Sequence, residues 1–122
     1  MTQQLILPSG GQLVTTQPIP SGSPVTVVIS GEVGIWAGWS RGIDAAYVYD
    51  APQGSSYYPV TTPRRRLGIL TGNGPFDPQP PVYNPAHQYT WQTVGTGQGL
   101  WFQFQDQPYD DNSGSFAITV IW

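Results

Sequence analysis

Glycine and proline punctuate this chain at short intervals, and that pattern limits the fold more than any other feature. The 122 residues include 15 glycines and 13 prolines, the two residue types that most disfavour a helix interior. Between these breaks lie short runs in which apolar and polar side chains alternate. Period-two runs bounded by turn residues are typical of β-strands. No segment shows a sustained helical apolar period.

The alternation predicts strands at Gln3–Leu7, Gln12–Thr16, Val25–Ser30, Ala45–Tyr49, Leu67–Leu70, Tyr89–Val94, Leu100–Gln105 and Ser115–Trp122. Gly31–Trp39 is expected to bend or bulge, and Gln53–Pro63 and the proline-rich Thr71–Pro85 are predicted as loops. We therefore expect one all-β domain over residues 1–122. Its predicted architecture is a small β-sandwich of the jelly-roll type, because sandwiches of this size commonly use Greek-key connections.

Composition excludes several classes of function. Charged residues make up only 9% of the chain, with no lysine and a net charge of −3, so nucleic-acid binding is not expected. Cysteine is absent, which excludes disulfides and thiolate chemistry. The one cationic cluster, Arg64–Arg66, and the one histidine, His87, are expected to be exposed loop residues. No catalytic constellation is visible, and the chain is not predicted to be an enzyme.

Membrane and export signals are also weak. No apolar run approaches the length of a membrane span. The start of the chain, from Met1, carries no positive segment typical of a signal peptide. Because a binding function is inferred below, we expect an extracellular or surface-associated protein. Export by another route and loading onto a particle both remain open.

The strongest chemical signal is an acidic loop between two predicted strands. Asp106, Asp110 and Asp111 fall within six positions and are followed by Asn112. Calcium prefers six to eight oxygen ligands from carboxylates, amides and carbonyls, and such a cation would relieve the repulsion between the carboxylates. The same residue types are also common in a solvated hairpin turn. The residues alone leave both interpretations open.

The stretch from Leu100 to Phe116, which reads LWFQFQDQPYDDNSGSF, resembles the signature of the PA-IL-like (LecA-like) family. These are calcium-dependent, galactophilic bacterial lectins with a small jelly-roll sandwich of the galactose-binding-like kind. Their hallmark is an Asp a few residues before an Asn/Asp-Asn-Ser-Gly-Ser-Phe run that opens the last strand. A weaker similarity covers residues 20–31, and the middle third of the chain matches poorly.

The resemblance implies a set of calcium ligands. Asp106, Asp111 and Asn112 match the family's side-chain ligands. The backbone carbonyls of Tyr109 and of Ile35 match two more, although the acidic loop here is shorter than in the galactophilic prototype. Five protein oxygens would leave room on calcium for two neighbouring hydroxyls of a hexose, with the carboxylates of Asp106 and Asp111 accepting hydrogen bonds from them. Galactoside-type binding is the function that follows.

The surroundings of the sugar are partly matched. The family has a His-Pro-Asp-Gln-Gly stretch where this chain reads Asp50-Ala-Pro-Gln53-Gly54. Gln53 is kept as a sugar contact, whereas Asp50 stands in place of the histidine and predicts a weaker or shifted galactose preference. Trp36 and Trp39 are the candidates for stacking on the sugar, because aromatic rings pack against the apolar faces of sugars.

A second function remains open at this stage. Few charges, many Gln, Thr, Ser and Gly residues, and many aromatic residues also suit a calcium-stabilised structural or adhesion subunit of a surface, fibre or particle. Either function predicts a homo-oligomer, since a domain of this size cannot bury all of its five tryptophans and seven tyrosines.

Overall fold

A computed structural model describes residues 1–35, 41–50, 57–60, 67–72, 75–76, 79–106 and 111–122, with Asp50 described in its backbone alone. These residues form eleven β-strands and no helix. The strands, β1 to β11 in chain order, are Thr2–Pro8, Leu13–Pro18, Pro24–Ser30, Val33–Gly34, Arg41–Ile43, Tyr47–Asp50, Tyr57–Pro59, Gly68–Leu70, Gln88–Val94, Gly99–Gln105 and Ser113–Ile121. The predicted all-β class is confirmed. Nowhere in these described ranges is there a helix that could span a membrane.

The first three strands pair with the last three in reverse order. β1 pairs with β11, β2 with β10 and β3 with β9, and every pair is antiparallel. The first and third of these pairs lie in an eight-stranded sheet, and the second lies in a three-stranded sheet formed by β2, β10 and β8. A ribbon of paired strands that passes from one sheet to the other and back is the path of a jelly roll.

The core lies between the two sheets and follows the alternation of the sequence. On β3, Val25, Val27 and Ile29 are buried while the residues between them face outward. Phe104 of the small sheet meets Phe116 of the large one, with 5.6 Å between ring centroids. Because adjacent strand residues point to opposite faces, this pattern confirms the predicted sandwich.

The predicted bend after β3 is a fork in the large sheet. β3 and the short β4 both pair with β11, but β3 has β9 on its other side and β4 has β5. Gly31 lies at the fork with φ 106°, a conformation that favours glycine. A Cβ there would lie 3.1 Å from the carbonyl oxygen of Ser115. The fork directs the chain away from β9 and into a second antiparallel unit.

That unit is a meander of β4, β5, β6 and β7, of which only β6 was predicted as a strand. Val33–Gly34, which forms β4, lies in the segment expected to bend or bulge. Neither β5 nor β7 was predicted, and β7 lies within the segment predicted as a loop. One face of the meander is apolar and joins the core. On the other face the ring of Tyr49 lies over Gly42, where a Cβ would come within 2.6 Å of the ring. Glycine at this position therefore makes room for the tyrosine.

Candidate metal centre

The start of β11 is where three separate parts of the chain meet. Pro8, at the end of β1, is opposite Ser115, so the turn after β1 lies at this end of the sandwich. Gly34, at the end of β4, is opposite Ser113. The acidic loop connects β10 in one sheet to β11 in the other. Residues distant in sequence are thus brought to the two predicted ligands that immediately precede β11, Asp111 and Asn112.

The amide of Asn112 is held in a defined orientation. Its Nδ2 donates a hydrogen bond of 3.1 Å to the carbonyl oxygen of Ser9, in the turn after β1. The same turn is tied to β10, because Gln103 Nε2 donates to the carbonyl oxygen of Gly11 at 2.8 Å. With Nδ2 committed to Ser9, Asn112 Oδ1 must point away from that turn. Sequence analysis missed the part played by Ser9, whose Pro-Ser-Gly-Gly context resembles an ordinary turn.

Two side-chain oxygens in this loop lack hydrogen bonds. Asp111 Oδ1 and Asn112 Oδ1 are both screened from solvent, and neither has a hydrogen-bond partner in the described parts of the chain. Buried oxygen acceptors are normally satisfied, because leaving one unpaired costs about 1–3 kcal/mol. Two such atoms on adjacent residues form a local excess of negative and partially negative charge that a bound cation would offset.

Two further predicted ligands lie on described backbone. Ile35 follows Gly34, and Asn112 precedes Ser113, the residue paired with Gly34. The N–H of Ile35 donates a hydrogen bond of 3.0 Å to the carbonyl oxygen of Arg41. This bond fixes Ile35 at the end of the meander. Asp106 follows the last residue of β10 and is half-buried. The fold thus places Ile35 beside the loop that carries the other ligands.

The remaining predicted site residues cannot be placed in the same way. Tyr109, Gln53, Trp36 and Trp39 lie outside the described residues. Asp50 is described in its backbone alone, at the end of β6 opposite Arg41.

The donor set suits a hard cation that takes oxygen ligands. Across the described ranges no group of three or more His, Asp or Glu side chains is arranged to hold a metal. Two carboxylates, one amide and backbone carbonyls form the type of mixed oxygen set that calcium accepts. Comparison of the chain with family models and with curated proteins gives no match in either case. The chemistry of this loop therefore carries the functional inference.

A second polar cluster is centred on Asp44 and lies on the face of the meander that carries Tyr49. Its carboxylate is fully buried in the turn between β5 and β6. Oδ1 accepts hydrogen bonds from the backbone N–H groups of Ala46 and Tyr47, at 2.9 and 2.7 Å. Oδ2 accepts from the Tyr89 hydroxyl at 2.8 Å and lies 2.9 Å from His87 Nδ1. Four partners satisfy a carboxylate that would otherwise be too costly to bury.

The prediction that His87 is an exposed loop residue is wrong. Its side chain is buried, its ring stacks on Tyr49 with centroids 5.1 Å apart, and its Nε2 lies 3.2 Å from Glu32 Oε2. Its backbone has φ 56°, a conformation rare for residues other than glycine. The tight turn before it, in which the N–H of His87 donates to the carbonyl of Asn84 at 2.8 Å, directs the ring inward. The sequence shows only a histidine among prolines, which does not reveal two acidic partners distant along the chain.

This cluster fastens residues 81–87, here called the covering segment, onto the meander. Tyr47 donates a hydrogen bond to the carbonyl of Pro81. Tyr83 stacks on Tyr57 with ring centroids 4.1 Å apart. At the other end of the segment, His87 contacts Asp44 as described above. The meander is thereby held between the core and the covering segment. Two predicted site residues lie at the ends of its strands: Ile35 follows β4, and Asp50 ends β6.

Asp44→Ala is expected to be among the most destabilising substitutions in this part of the protein. It removes the shared acceptor of four donors and leaves His87 with only Glu32 as an acidic neighbour. We expect a loss of about 3–5 kcal/mol in the free energy of unfolding, the scale for breaking a buried charged pair. Urea denaturation measures it. Asp44→Asn, which keeps the Oδ1 acceptor, should lose clearly less, and an equal loss in the two variants would contradict this role.

Stability should also fall at alkaline pH. Burial raises the pKa of Tyr49 and of Tyr89 well above the ordinary 10.0, with the hydrogen bond to Glu32 adding to the effect at Tyr49 and the charge of Asp44 adding to it at Tyr89. Above pH 10 the unfolded chain releases phenolic protons that the folded chain retains. The resulting stability is fully present below pH 10 and is lost as pH rises further. The melting temperature measured across this range should decline, and Tyr49→Phe should make the decline shallower. A melting temperature that stays unchanged as the pH rises above 10 would contradict this role of the buried tyrosines.

Proposed function

We propose that the protein is a calcium-dependent lectin that binds galactoside-type carbohydrate through the loop before β11. The observation that carries the proposal is the pair of buried, unpartnered acceptors, Asp111 Oδ1 and Asn112 Oδ1. Their positions coincide with the side-chain ligands implied by the resemblance to the PA-IL-like family. A plain solvated turn would leave these oxygens exposed to water rather than buried.

In this proposal each residue has a defined part. Asp106, Asp111 and Asn112 hold the ion through side-chain oxygens, and the carbonyls of Ile35 and Tyr109 complete the protein's share. When bound, calcium supplies open coordination positions that two neighbouring sugar hydroxyls can take. The hydrogen bond from Asn112 Nδ2 to Ser9 supports the geometry, because it turns the amide oxygen rather than the amide nitrogen away from the Ser9 carbonyl.

The sugar contacts beyond the ion are assigned by resemblance. The carboxylates of Asp106 and Asp111 accept hydrogen bonds from the ion-bound hydroxyls. Gln53 donates to a peripheral hydroxyl, and Trp36 and Trp39 offer aromatic faces for stacking. Asp50, in place of an imidazole, accepts hydrogen bonds where the family's histidine could also donate, so the preferred sugar is expected to differ from that of the galactophilic prototype.

The second candidate is a calcium-stabilised structural or adhesion subunit. The observation that favours it is the absence of Asp, Glu, Lys and Arg from residues 1–31, 78–105 and 112–122. These ranges include all of β1, β2, β3, β9, β10 and β11, so much of the sandwich presents an uncharged surface suited to subunit contacts. In that case the ion would only stiffen the end of the sandwich, and no glycan would bind.

Calcium is expected to raise the melting temperature. A ligand that binds only the folded state adds about 2.7 kcal/mol to the free energy of unfolding when its concentration is a hundredfold above its Kd. Differential scanning calorimetry in calcium and in chelator measures the effect. Asp111→Ala should abolish most of it, whereas Asp110→Ala, which removes the neighbouring carboxylate outside the proposed ligand set, should retain it. Equal melting temperatures in calcium and in chelator would show that the loop is only a turn.

Glycan binding is expected to require the ion. On a glycan array, chelation should abolish binding, because the sugar hydroxyls are proposed ligands of the ion. Gln53→Ala should weaken the affinity about fivefold, the scale of one neutral hydrogen bond, while leaving the calcium-dependent rise in melting temperature intact. Asp106→Asn should reduce both. A protein that gains stability from calcium but binds no glycan would be the structural subunit instead.

A further inference from the structure

One edge of the large sheet lacks the features that normally protect an edge strand. The sheet ends at β9, which pairs with β3 on one side and, among the described residues, with no strand on the other. All seven residues of β9, Gln88–Val94, are in register with β3 without a bulge. They include no charge, proline or glycine. Natural proteins usually blunt such edges with lysine, proline, bulges or a covering element.

The hydrogen-bonding direction of β9 can be read from its two ends. Beyond one end, Gly31 N–H donates to the carbonyl of His87 at 3.0 Å, and beyond the other, Gly95 N–H donates to the carbonyl of Ser23 at 2.8 Å. In an antiparallel pair these bonds recur at every second residue. Residues 89, 91 and 93 therefore bond to β3. The backbone groups of Thr90, Gln92 and Val94 point away from it, and the side chains of these residues are exposed.

The opposite edge of the same sheet is different. β1 lies against β2, where Gln3 Oε1 accepts a hydrogen bond of 2.8 Å from the Gln17 N–H. β1 also ends in a proline, Pro8. The chain therefore closes this edge partly with its own atoms, and β9 is the longer open edge.

We propose that two copies of the chain pair through β9, antiparallel about a twofold axis, and so join their large sheets into one. The occupant is a second copy for two reasons. Identical antiparallel strands are self-complementary under twofold symmetry, so Thr90, Gln92 and Val94 of each copy meet the same set. The strands around β9, namely β3, β11 and β1, also carry no charged side chain, so the net negative charge of the chain produces no repulsion at the contact.

Gln92→Pro provides a direct test of this pairing. The Gln92 N–H points away from β3, so proline should remove a bond between copies while sparing the backbone bonds within the chain. The variant also loses the 2.9 Å side-chain bond that Gln92 Oε1 accepts from Thr26 Oγ1. Sedimentation velocity should show a species of twice the 13.3 kDa chain mass for the natural chain and a monomer for the variant. Thr90→Lys, which places like charges across the twofold axis, should also give the monomer and serves if the proline variant does not fold.

Ala117→Lys is the matched control. It adds the same charge to the same exposed face of the large sheet, but on β11, where Ala117 is paired with Ile6 of β1 and Ser30 of β3. The control should remain dimeric. Hydrogen exchange should show slow amides at positions 90, 92 and 94 in the natural chain and fast ones at the same positions in Thr90→Lys. Gln92→Pro has no amide at position 92 and is measured at positions 90 and 94. A monomeric natural chain, a dimer broken by Ala117→Lys but not by Gln92→Pro, or fast exchange at these three amides in a dimer would overturn the proposal.

Discussion

The buried carboxylate of Asp44 is the interaction on which the less regular half of this protein depends. The nested strand pairs of the sandwich are held by continuous backbone ladders and an apolar core. The meander has strands of only two to four residues, too short to be stable as isolated pairs. Asp44 links its central turn to His87 and Tyr89, and through them to β9 of the main sheet. One acceptor group thus joins the two sides of the fork at Gly31.

That fork explains how the chain brings a second group of strands to the end of the sandwich that carries the candidate calcium loop. If β3 continued straight, residues 31–60 would have no separate sheet to form. The bend instead sends β4 along the start of β11, and the chain then turns back through β5 and β6. As a result Gly34 pairs with Ser113, so Ile35 follows a residue whose partner comes directly after Asp111 and Asn112. The proposed calcium site depends on this arrangement of strands. The Asp44 cluster supports the arrangement because it fastens the covering segment onto the meander.

The distribution of charge divides the chain into two kinds of surface. Every Asp, Glu and Arg lies within residues 32–77 or 106–111, which contain the meander and the acidic loop. The strands of the nested pairs contain none. The proposed ion and sugar contacts other than Asn112 fall in the charged ranges, and the proposed pairing edge β9 falls in the uncharged ranges. A dimer through β9 would therefore leave the start of β11 available, since β3 lies between the two strands.

The sequence by itself determined the parts of this protein that depend on local order. Alternating side chains on Val25–Ser30 and Leu100–Gln105 predicted both the strands and their inward faces, because a strand places successive side chains on opposite sides. The Asp-Asn-Ser-Gly run predicts a cluster of oxygen ligands, because that chemistry lies in one short segment, and the calcium site there stays a prediction. Strands β5 and β7 escaped prediction because they are three residues long and take their stability from neighbours. Only the tertiary structure brought Ser9 to Asn112 and buried His87 between Asp44 and Glu32. The Ser9–Asn112 contact joins residues 103 positions apart, and the Asp44–His87 contact joins residues 43 positions apart. The position of the meander that carries Asp44 also depends on a single bend at Gly31.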